Sequence, residues 1–342
     1  MRISPSTPPH ARRDLVRCAL LGGIVCAALL PSVALADGRG EIDQVCATTT
    51  GCFAGDAPGF PVTITGAGAR SVVLTSDLVL PDASADGIIV SATDVTIDLA
   101  GHSIQLAACA GATAACADPL SSTCAIATSI GPDLYGMVVR NGELVGMACG
   151  ILGDVATEVS GVVARWNRAF GISSSRWGSM LLENTAFENG GSGFIVQGQS
   201  LVLANQAIAN GFAGILDASS PGHVVHGNTA LSNASFGISA PDGSVVVGNV
   251  SRGNETRGLF GDAVNVVQGN TVVSNTPAAS GAVGGFGSVV HGNTVRDNGG
   301  FGIVLDPTAG YRENVISINA GGTVLSGVDL GDNACDGTTT CP

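Results

Sequence analysis

Pairs of asparagines spaced five residues apart recur seven times in the second half of the chain, at intervals of 21 to 23 residues. A column of glycines from Gly150 to Gly302 keeps the same interval. A period this short and regular predicts one small unit that is stacked on itself many times. The pairs are Asn184/Asn189, Asn205/Asn210, Asn228/Asn233, Asn249/Asn254, Asn270/Asn275, Asn293/Asn298 and Asn314/Asn319.

Each repeat contains short runs of β-branched residues that are interrupted by Gly and Asn, as in the matching segments His223–Asn233 and Ser288–Asn298. Such runs indicate strands of three to five residues, and no stripe of helical spacing crosses a repeat. The period is too short for a propeller blade, and the leucine frame of a leucine-rich repeat is missing. We therefore predict an all-β parallel β-helix, a solenoid of about ten coils with end caps.

The asparagines are expected at the bends between strands, because Asn tolerates left-handed backbone angles. Its side-chain amide can also bond to the Asn of the next coil and so form a ladder. We predict that this ladder is structural and is not a ligand site. Its members in the first column are Asn184, Asn205, Asn228, Asn249, Asn270, Asn293 and Asn314.

The regularity of the pattern divides the chain into segments. We predict an N-terminal cap at 37–70, the β-helix at 71–330 and a C-terminal disulfide tail at 331–342. The caps cover strand edges that would otherwise associate end to end, which favours a monomer while leaving the oligomeric state open. The pattern breaks at 107–135, a stretch rich in Ala, Ser, Thr and Cys. We expect a Cys-rich loop insertion there, and insertions tend to mark the functional face of a solenoid.

The first 36 residues resemble an export signal. Arg12, Arg13 and Arg17 precede an apolar run at Cys18–Leu30, and the small-residue site Ala34-Leu35-Ala36 follows. No later stretch approaches 18 unbroken apolar residues, so we predict no membrane insertion of the mature chain. The protein is expected to be secreted, periplasmic or at the cell surface after cleavage of residues 1–36, by the general secretory or the twin-arginine route.

Eight cysteines follow the leader, and an even number in an exported chain favours disulfides. Cys46/Cys52 and Cys335/Cys341 are close in sequence and are expected to pair. The remaining four allow three pairings, of which we favour Cys109–Cys116 and Cys124–Cys149. No Cys-x-x-Cys exists, so a metal site is not predicted.

Charge restricts the partners. The chain has 14 basic residues, all arginine, against 27 acidic residues, for a net charge of −13. Such a surface repels nucleic acid and anionic lipid, so no nucleic-acid partner is expected. Polyanionic sugars would need bridging cations.

The segment Val95–Ile104 and the repeated Gly-Asn-Thr and Gly-Ile coils resemble secreted bacterial right-handed parallel β-helix repeat proteins. These belong to the pectate-lyase-like superfamily, and the coils are similar to those of NosD-type periplasmic proteins. Ile42–Asp56 and Gly331–Pro342 are similar to an exported subgroup of unknown activity. The resemblance implies a right-handed solenoid, and it implies function poorly, because the superfamily includes lyases, hydrolases, epimerases and non-catalytic binders.

The motifs of the superfamily's enzymes are largely missing. Its pectin hydrolases carry an Asp pair, a Gly-His-Gly and an Arg-x-Lys, and none of these occurs here. Its lyases use Ca²⁺ held by clustered acids and an Arg or Lys base. The nearest candidates are Arg165, Arg168 and Arg176, with Glu158 and Glu183. Because no acidic cluster of metal-ligand spacing accompanies them, we assign no catalytic residue and no cofactor, with Ca²⁺ the candidate ion if one is bound.

Two sets of residues are candidates for ligand contact. Trp166 and Trp177 offer aromatic surface of the kind that sugars stack on. Gln268, His291 and Arg312 would form an outward polar column on consecutive coils, but we favour the simpler interpretation that this column faces water.

We therefore predict a non-catalytic surface, adhesion or glycan-binding protein. The alternative is a polysaccharide lyase-like enzyme that acts on an extracellular or cell-wall glycan through an arginine of the 165–176 segment.

Overall fold

The chain folds into a right-handed parallel β-helix in which each coil contributes strands to three faces. All ladders between these strands are parallel, with successive coils in register along the axis. The computed structural model describes residues 38–66, 69–118, 120–129, 134–217, 221–263, 265–276, 283–339 and 341. The predicted leader, residues 1–36, lies outside the described residues.

Within each coil of the asparagine repeats, the chain crosses face 1, then face 2 and then face 3, and we number the faces in that order. Two long strands, Val138–Val145 and Glu158–Arg165, cross both face 1 and face 2. The other strands of face 1 are Gly40–Ile42, Ser71–Leu74, Thr96–Asp98, Met180–Leu182, Leu201–Leu203, Val224–His226, Val245–Val247, Val266–Gln268, Val289–His291, Gly310–Arg312 and Val328–Asp329. Those of face 2 are Leu78–Leu80, Ser103–Leu106, Thr185–Phe187, Gln206–Ile208, Thr229–Leu231, Val250–Arg252, Thr271–Val273, Thr294–Arg296, Val315–Ser317 and Ala334–Cys335.

Face 3 is a separate sheet of 12 strands. These strands are Val62–Thr65, Ile88–Ser91, Cys124–Thr128, Cys149–Gly153, Phe170–Ser174, Phe194–Val196, Ile215–Asp217, Ile238–Ala240, Leu259–Ala263, Val283–Phe286, Phe301–Leu305 and Gly322–Leu325. The described helices are single turns, a π-helical one at Cys46–Thr50 and a 3₁₀ one at Ala107–Cys109.

The solenoid has about 12 coils, more than the ten predicted from the sequence. Val62–Thr65 already pairs with Ile88–Ser91, so that stacking begins within the segment 37–70. Cys124–Thr128 pairs with strands on both sides, so that part of the segment 107–135 lies in the sheet. The sequence pattern did not reveal this strand because small residues replace the usual β-branched run.

The core is a stack of small and medium apolar side chains. In a three-residue strand the middle side chain points inward and its two neighbours point outward, as the two-residue period of a strand requires. On face 1 the inward column includes Val225, Val246, Val267 and Val290, all buried. Each such valine contributes about 1.5 kcal/mol or more through removal of apolar surface from water.

Two asparagine ladders occupy the corners on either side of face 2. Within a ladder, the backbone N–H and Nδ2 of one Asn donate to Oδ1 of the Asn one coil further on. Asn228 makes these bonds to Asn249 at 2.8 and 3.0 Å, and its Nδ2 also donates to the Val202 carbonyl at 2.8 Å. The predicted ladder is confirmed. The first ladder comprises Asn184, Asn205, Asn228, Asn249, Asn270, Asn293, Asn314 and Asn333, and the second comprises Asn167, Asn189, Asn210, Asn233, Asn254, Asn275, Asn298 and Asn319.

Four disulfides join the eight cysteines as the sequence indicated. They are Cys46–Cys52, Cys109–Cys116, Cys124–Cys149 and Cys335–Cys341. Disulfides are typical of exported proteins. Across the described ranges, no helix has the length and apolar character that a bilayer-spanning segment needs.

Candidate functional site

Two exposed aromatic side chains lie on the corner between face 3 and face 1. Tyr135 is 52% exposed and Trp177 is 69% exposed. Tyr135 pairs with Val155 on the next coil, and the Ala156 N–H donates to the Trp177 carbonyl at 3.0 Å on the coil after that. Tyr135, Val155 and Trp177 therefore follow one another on three consecutive coils, and we call them the aromatic edge. Two strand spacings separate its aromatic residues, which is ~9.6 Å along the axis.

Asp154 connects the coils of the aromatic edge. Its carboxylate accepts a hydrogen bond from the Leu134 N–H at 3.2 Å. The same carboxylate lies 3.0 Å from Nε of Arg176, which directly precedes Trp177. Because Leu134 directly precedes Tyr135, one carboxylate links the coils that carry both aromatic residues. The edge is thereby held in a fixed arrangement before any ligand arrives, which reduces the ordering cost of binding.

A groove lies beside Trp177. It has a volume of about 330 Å³ and is lined by Trp177, Gly198, Gln199 and Pro221. Gly198 has a φ of +63°, and a Cβ there would lie 2.3 Å from the Trp177 Cα and Cβ. Only glycine fits that position without displacing the tryptophan backbone. Gly198 therefore packs directly against the backbone of Trp177.

Trp166 does not share this exposure, so its ring has little free surface for the ligand contact that the sequence predicts. It is 5% exposed, at a corner position with a φ of +55°. Its Nε1–H donates to Glu188 at 2.8 Å, and the Arg165 guanidinium lies 3.9 Å above its ring. The Arg165 guanidinium therefore covers one face of the ring, and the indole N–H has a hydrogen-bond acceptor. The side chain stabilises the corner.

The three candidate arginines have separate partners. Arg165, at the end of face 2, forms an ion pair with Glu143. Arg168 lies in the corner between faces 2 and 3, and its Nε donates to the Ser121 carbonyl at 2.7 Å. Arg176 lies in the corner of the aromatic edge, as described above. All three arginines lie on one coil, and each contacts a different partner.

The acidic candidates are not brought together either. Glu158 begins face 1, and Glu183 lies one coil on, in the corner between faces 1 and 2. Within the described ranges, no group of three or more His, Cys, Asp or Glu side chains could hold a metal ion. In the tail, Asp329 accepts bonds from the Gly331 N–H and the Asn333 Nδ2, and Asp336 accepts one from the Ile318 N–H. These two carboxylates therefore stabilise turns in the tail.

The contact of Arg168 with Ser121 predicts a role in anchoring the Cys-rich loop. We expect Arg168→Gln to increase amide hydrogen exchange in residues 107–123 about tenfold, because the loop loses a charge-assisted bond to the solenoid. Mass spectrometry of exchanged peptides measures this. Arg70→Gln, which removes an exposed arginine elsewhere, is the control and is expected to leave the exchange of the loop unchanged. Equal exchange in both variants would contradict the anchoring role.

The polar column stands in register on face 1. Gln268 pairs with His291, and His291 pairs with Arg312, on three consecutive coils. His291 Nε2 lies 2.7 Å from Glu313 Oε2, and this hydrogen bond, with the charges of His291 and Arg312, lowers the pKa of Glu313. These side chains lie on the strands of face 1, whereas the aromatic edge lies in a corner, so the two groups are separate.

Comparison with known proteins agrees with the geometry. Residues 149–287 match the family model described as right handed beta helix region. The chain has the right-handed parallel β-helix fold. A comparison with curated proteins found no match.

Among solved structures, DFA-IIIase from Arthrobacter chlorophenolicus A6 without its lid is 13% identical, with 78% of this chain and 75% of that chain covered and a TM-score of 0.52. The periplasmic alginate epimerase AlgG is 13% identical, with coverages of 78% and 77% and a TM-score of 0.49. The Dettilon tailspike protein is 14% identical, with coverages of 77% and 57% and a TM-score of 0.46. The β-helix chain thus spans little more than half of the tailspike. The similarity to DFA-IIIase shows the fold alone.

Proposed function

We propose that this β-helix protein is an exported, non-catalytic glycan-binding protein whose contact surface is the aromatic edge. The observation that carries the proposal is the placement of Tyr135 and Trp177 in register two coils apart, beside a groove of about 330 Å³. Exposed aromatic rings offer apolar faces with polar edges, which suit sugar rings that carry both CH and OH groups. An occupant that touches both rings is longer than one sugar unit, so an extended oligosaccharide is the expected ligand.

The charge of the chain favours a neutral glycan over a polyanionic one. A net charge of −13 generates a negative field around the solenoid, and anionic ligands approach against it. At the aromatic edge itself, the Arg176 charge is paired with Asp154. Stacking and hydrogen bonding to hydroxyl groups therefore dominate the expected contacts.

The separate engagement of Arg165, Arg168 and Arg176 supports a binding role over lyase chemistry. A lyase needs a base and a metal or acidic group that converge on one sugar unit. Here each arginine is held by a different partner on a different part of the coil. Four disulfides and the predicted leader support export to the periplasm, the cell surface or the medium.

Substitution of the aromatic residues tests the proposal. A glycan array probed with the purified mature chain selects the ligand, and calorimetry measures its affinity. We expect Trp177→Ala to weaken binding about tenfold or more and Tyr135→Ala to weaken it less, because Trp177 is more exposed and borders the groove. Trp177→Tyr should retain most of the affinity.

Phe212→Ala is the matched control. Phe212 is also an exposed aromatic residue, but it lies in the corner between faces 2 and 3. Its removal is expected to leave the affinity unchanged. Failure of the wild-type chain to bind any glycan, or equal affinity of Trp177→Ala and Phe212→Ala, would overturn the proposal. Release of unsaturated sugar products from the bound glycan would replace it with the lyase-like alternative.

A further inference from the structure

A second groove lies on face 2, away from the aromatic edge. Its volume is about 360 Å³, and it extends over three consecutive coils near the C-terminal end of the solenoid. Two of the few arginines in this acidic chain border it. The lining residues are Val250, Arg252, Thr271, Val273, Ser274, Arg296 and Asp297.

The two arginines stand on either side of Val273. Arg252 pairs with Val273, and Val273 pairs with Arg296, in the outward column of the face 2 strands. Val273 is 9% exposed, whereas the outward Val250 of the same face is 37% exposed. A short side chain flanked by two long ones is covered by their stems, because arginine lays its methylene groups along apolar surface and keeps its charge in water. The two guanidinium groups therefore border one space above Val273.

The charges of this groove are only partly compensated. Arg296 Nη1 lies 3.0 Å from Asp297 Oδ2, and both side chains are substantially exposed. In the part of the chain that the structure describes, the Arg252 guanidinium has no carboxylate partner. Thr271 and Ser274 add hydroxyl groups to the lining. The groove therefore has an excess of hydrogen-bond donors and of positive charge within an acidic surface.

We propose that this groove binds a tetrahedral oxyanion, namely the sulfate or phosphate ester group of a ligand. A planar carboxylate has two oxygens and is satisfied by the fork of one arginine. An ester of sulfate or phosphate presents three free oxygens that point in different directions. Arg252 and Arg296 lie two strand spacings apart along the axis, and the hydroxyl groups of the coil between them also line the groove. Donors in this arrangement can approach an anion from different directions, which matches a tetrahedral group.

The surroundings of the groove limit the size of the ligand. The negative field of the rest of the chain repels a long polyanion outside the groove. A ligand with one ester group, whose remaining parts are neutral, gains the arginine contacts without that repulsion. This site and the aromatic edge lie on different parts of the solenoid, so either proposal can fail without affecting the other.

Calorimetric titration of the mature chain at low ionic strength, where surface charges are least screened, tests the assignment. The probes are inorganic sulfate, inorganic phosphate, glucose 6-sulfate, glucose 6-phosphate and glucuronate. We expect saturable binding of the tetrahedral anions and about fivefold weaker binding of glucuronate. A preference for the sulfate or the phosphate ester identifies the natural source, and either supports the site. No saturable binding of either ester, or glucuronate binding as tight as theirs, would overturn it.

Substitutions locate the binding. Arg252→Gln and Arg296→Gln are each expected to weaken ester binding about tenfold, and the double variant to remove it. Arg70→Gln removes the same charge near the other end of the solenoid and is expected to change the affinity less than twofold. Unchanged affinity in the double variant would overturn the assignment.

A measurement on the unmodified chain provides a second test that does not depend on the folding of variants. An arginine-selective dicarbonyl reagent should modify Arg252 and Arg296 more slowly in the presence of sulfate, as followed by peptide mass spectrometry. Arg70 should react at the same rate with and without the anion. Equal protection of all three arginines would show a general salt effect and contradict the site.

Discussion

Replacing Asn205 by alanine is expected to lower the free energy of unfolding by about 3 kcal/mol or more. Asn205 Oδ1 accepts bonds from the Asn184 N–H at 2.9 Å and from Asn184 Nδ2 at 3.0 Å. Its own Nδ2 donates to the Leu181 carbonyl at 2.8 Å and to Asn228 Oδ1 at 3.0 Å. Alanine leaves these buried groups without a partner, and each loses about 1–3 kcal/mol that water cannot restore in the closed corner.

The adjacent residue provides a matched control for this prediction. Gln206 carries the same amide group but begins the face 2 strand with its side chain exposed. Gln206→Ala is expected to change stability by less than about 0.5 kcal/mol. Urea unfolding followed by circular dichroism gives both values. Hydrogen exchange of the strands beside Asn205 reports local opening, since a solenoid can lose one coil before the others. A similar loss in both variants would contradict a structural ladder.

The ladder could be predicted from sequence because every partner of a ladder residue is another copy of itself. A residue that recurs at the coil period necessarily meets its own kind along the axis, so periodicity alone identifies the contact. Periodicity did not identify the strand Cys124–Thr128. This strand pairs with the coils on both sides, but it does not carry their Gly and Asn pattern. Its neighbours in space determine its structure, and the local pattern does not.

The candidate site was only partly predictable for a related reason. Trp166 and Trp177 lie eleven positions apart, and composition treats them alike. Trp166 is buried beneath the Arg165 guanidinium and is bonded to Glu188, whereas Trp177 is exposed and lines a groove with Gly198. Sequence spacing assigns a residue to a corner, but its exposure depends on the side chains of the adjacent coils.

A buried polar contact provides the second large expected effect. The His223 Nε2 contacts the Asp217 carboxylate, and the two side chains are 0% and 2% exposed. His223 Nδ1 accepts a bond from the Ser200 N–H at 3.3 Å, and the His223 N–H donates to Ser244 Oγ at 3.2 Å. Nδ1 therefore acts as an acceptor in this arrangement, and Nε2 faces the Asp217 carboxylate.

The adjacent coils show what the contact replaces. Val196 pairs with Asp217, and serines occupy the His223 column on both sides, at Ser200 and Ser244. The fold therefore accommodates a valine and a serine at these two positions without any charge. Removing only one partner of the contact leaves the other buried in a space shaped for two, which typically costs more than the pair contributes.

Asp217→Val is accordingly expected to lower the free energy of unfolding by about 3–5 kcal/mol, because one side of a buried contact inside the solenoid is removed. The double variant Asp217→Val with His223→Ser copies the neighbouring coil and is expected to recover most of that loss. Urea unfolding of the wild type, both single variants and the double variant gives the coupling free energy between the two positions. If the double variant is as unstable as the sum of the single variants, the two side chains act independently, and the contact does not stabilise the corner.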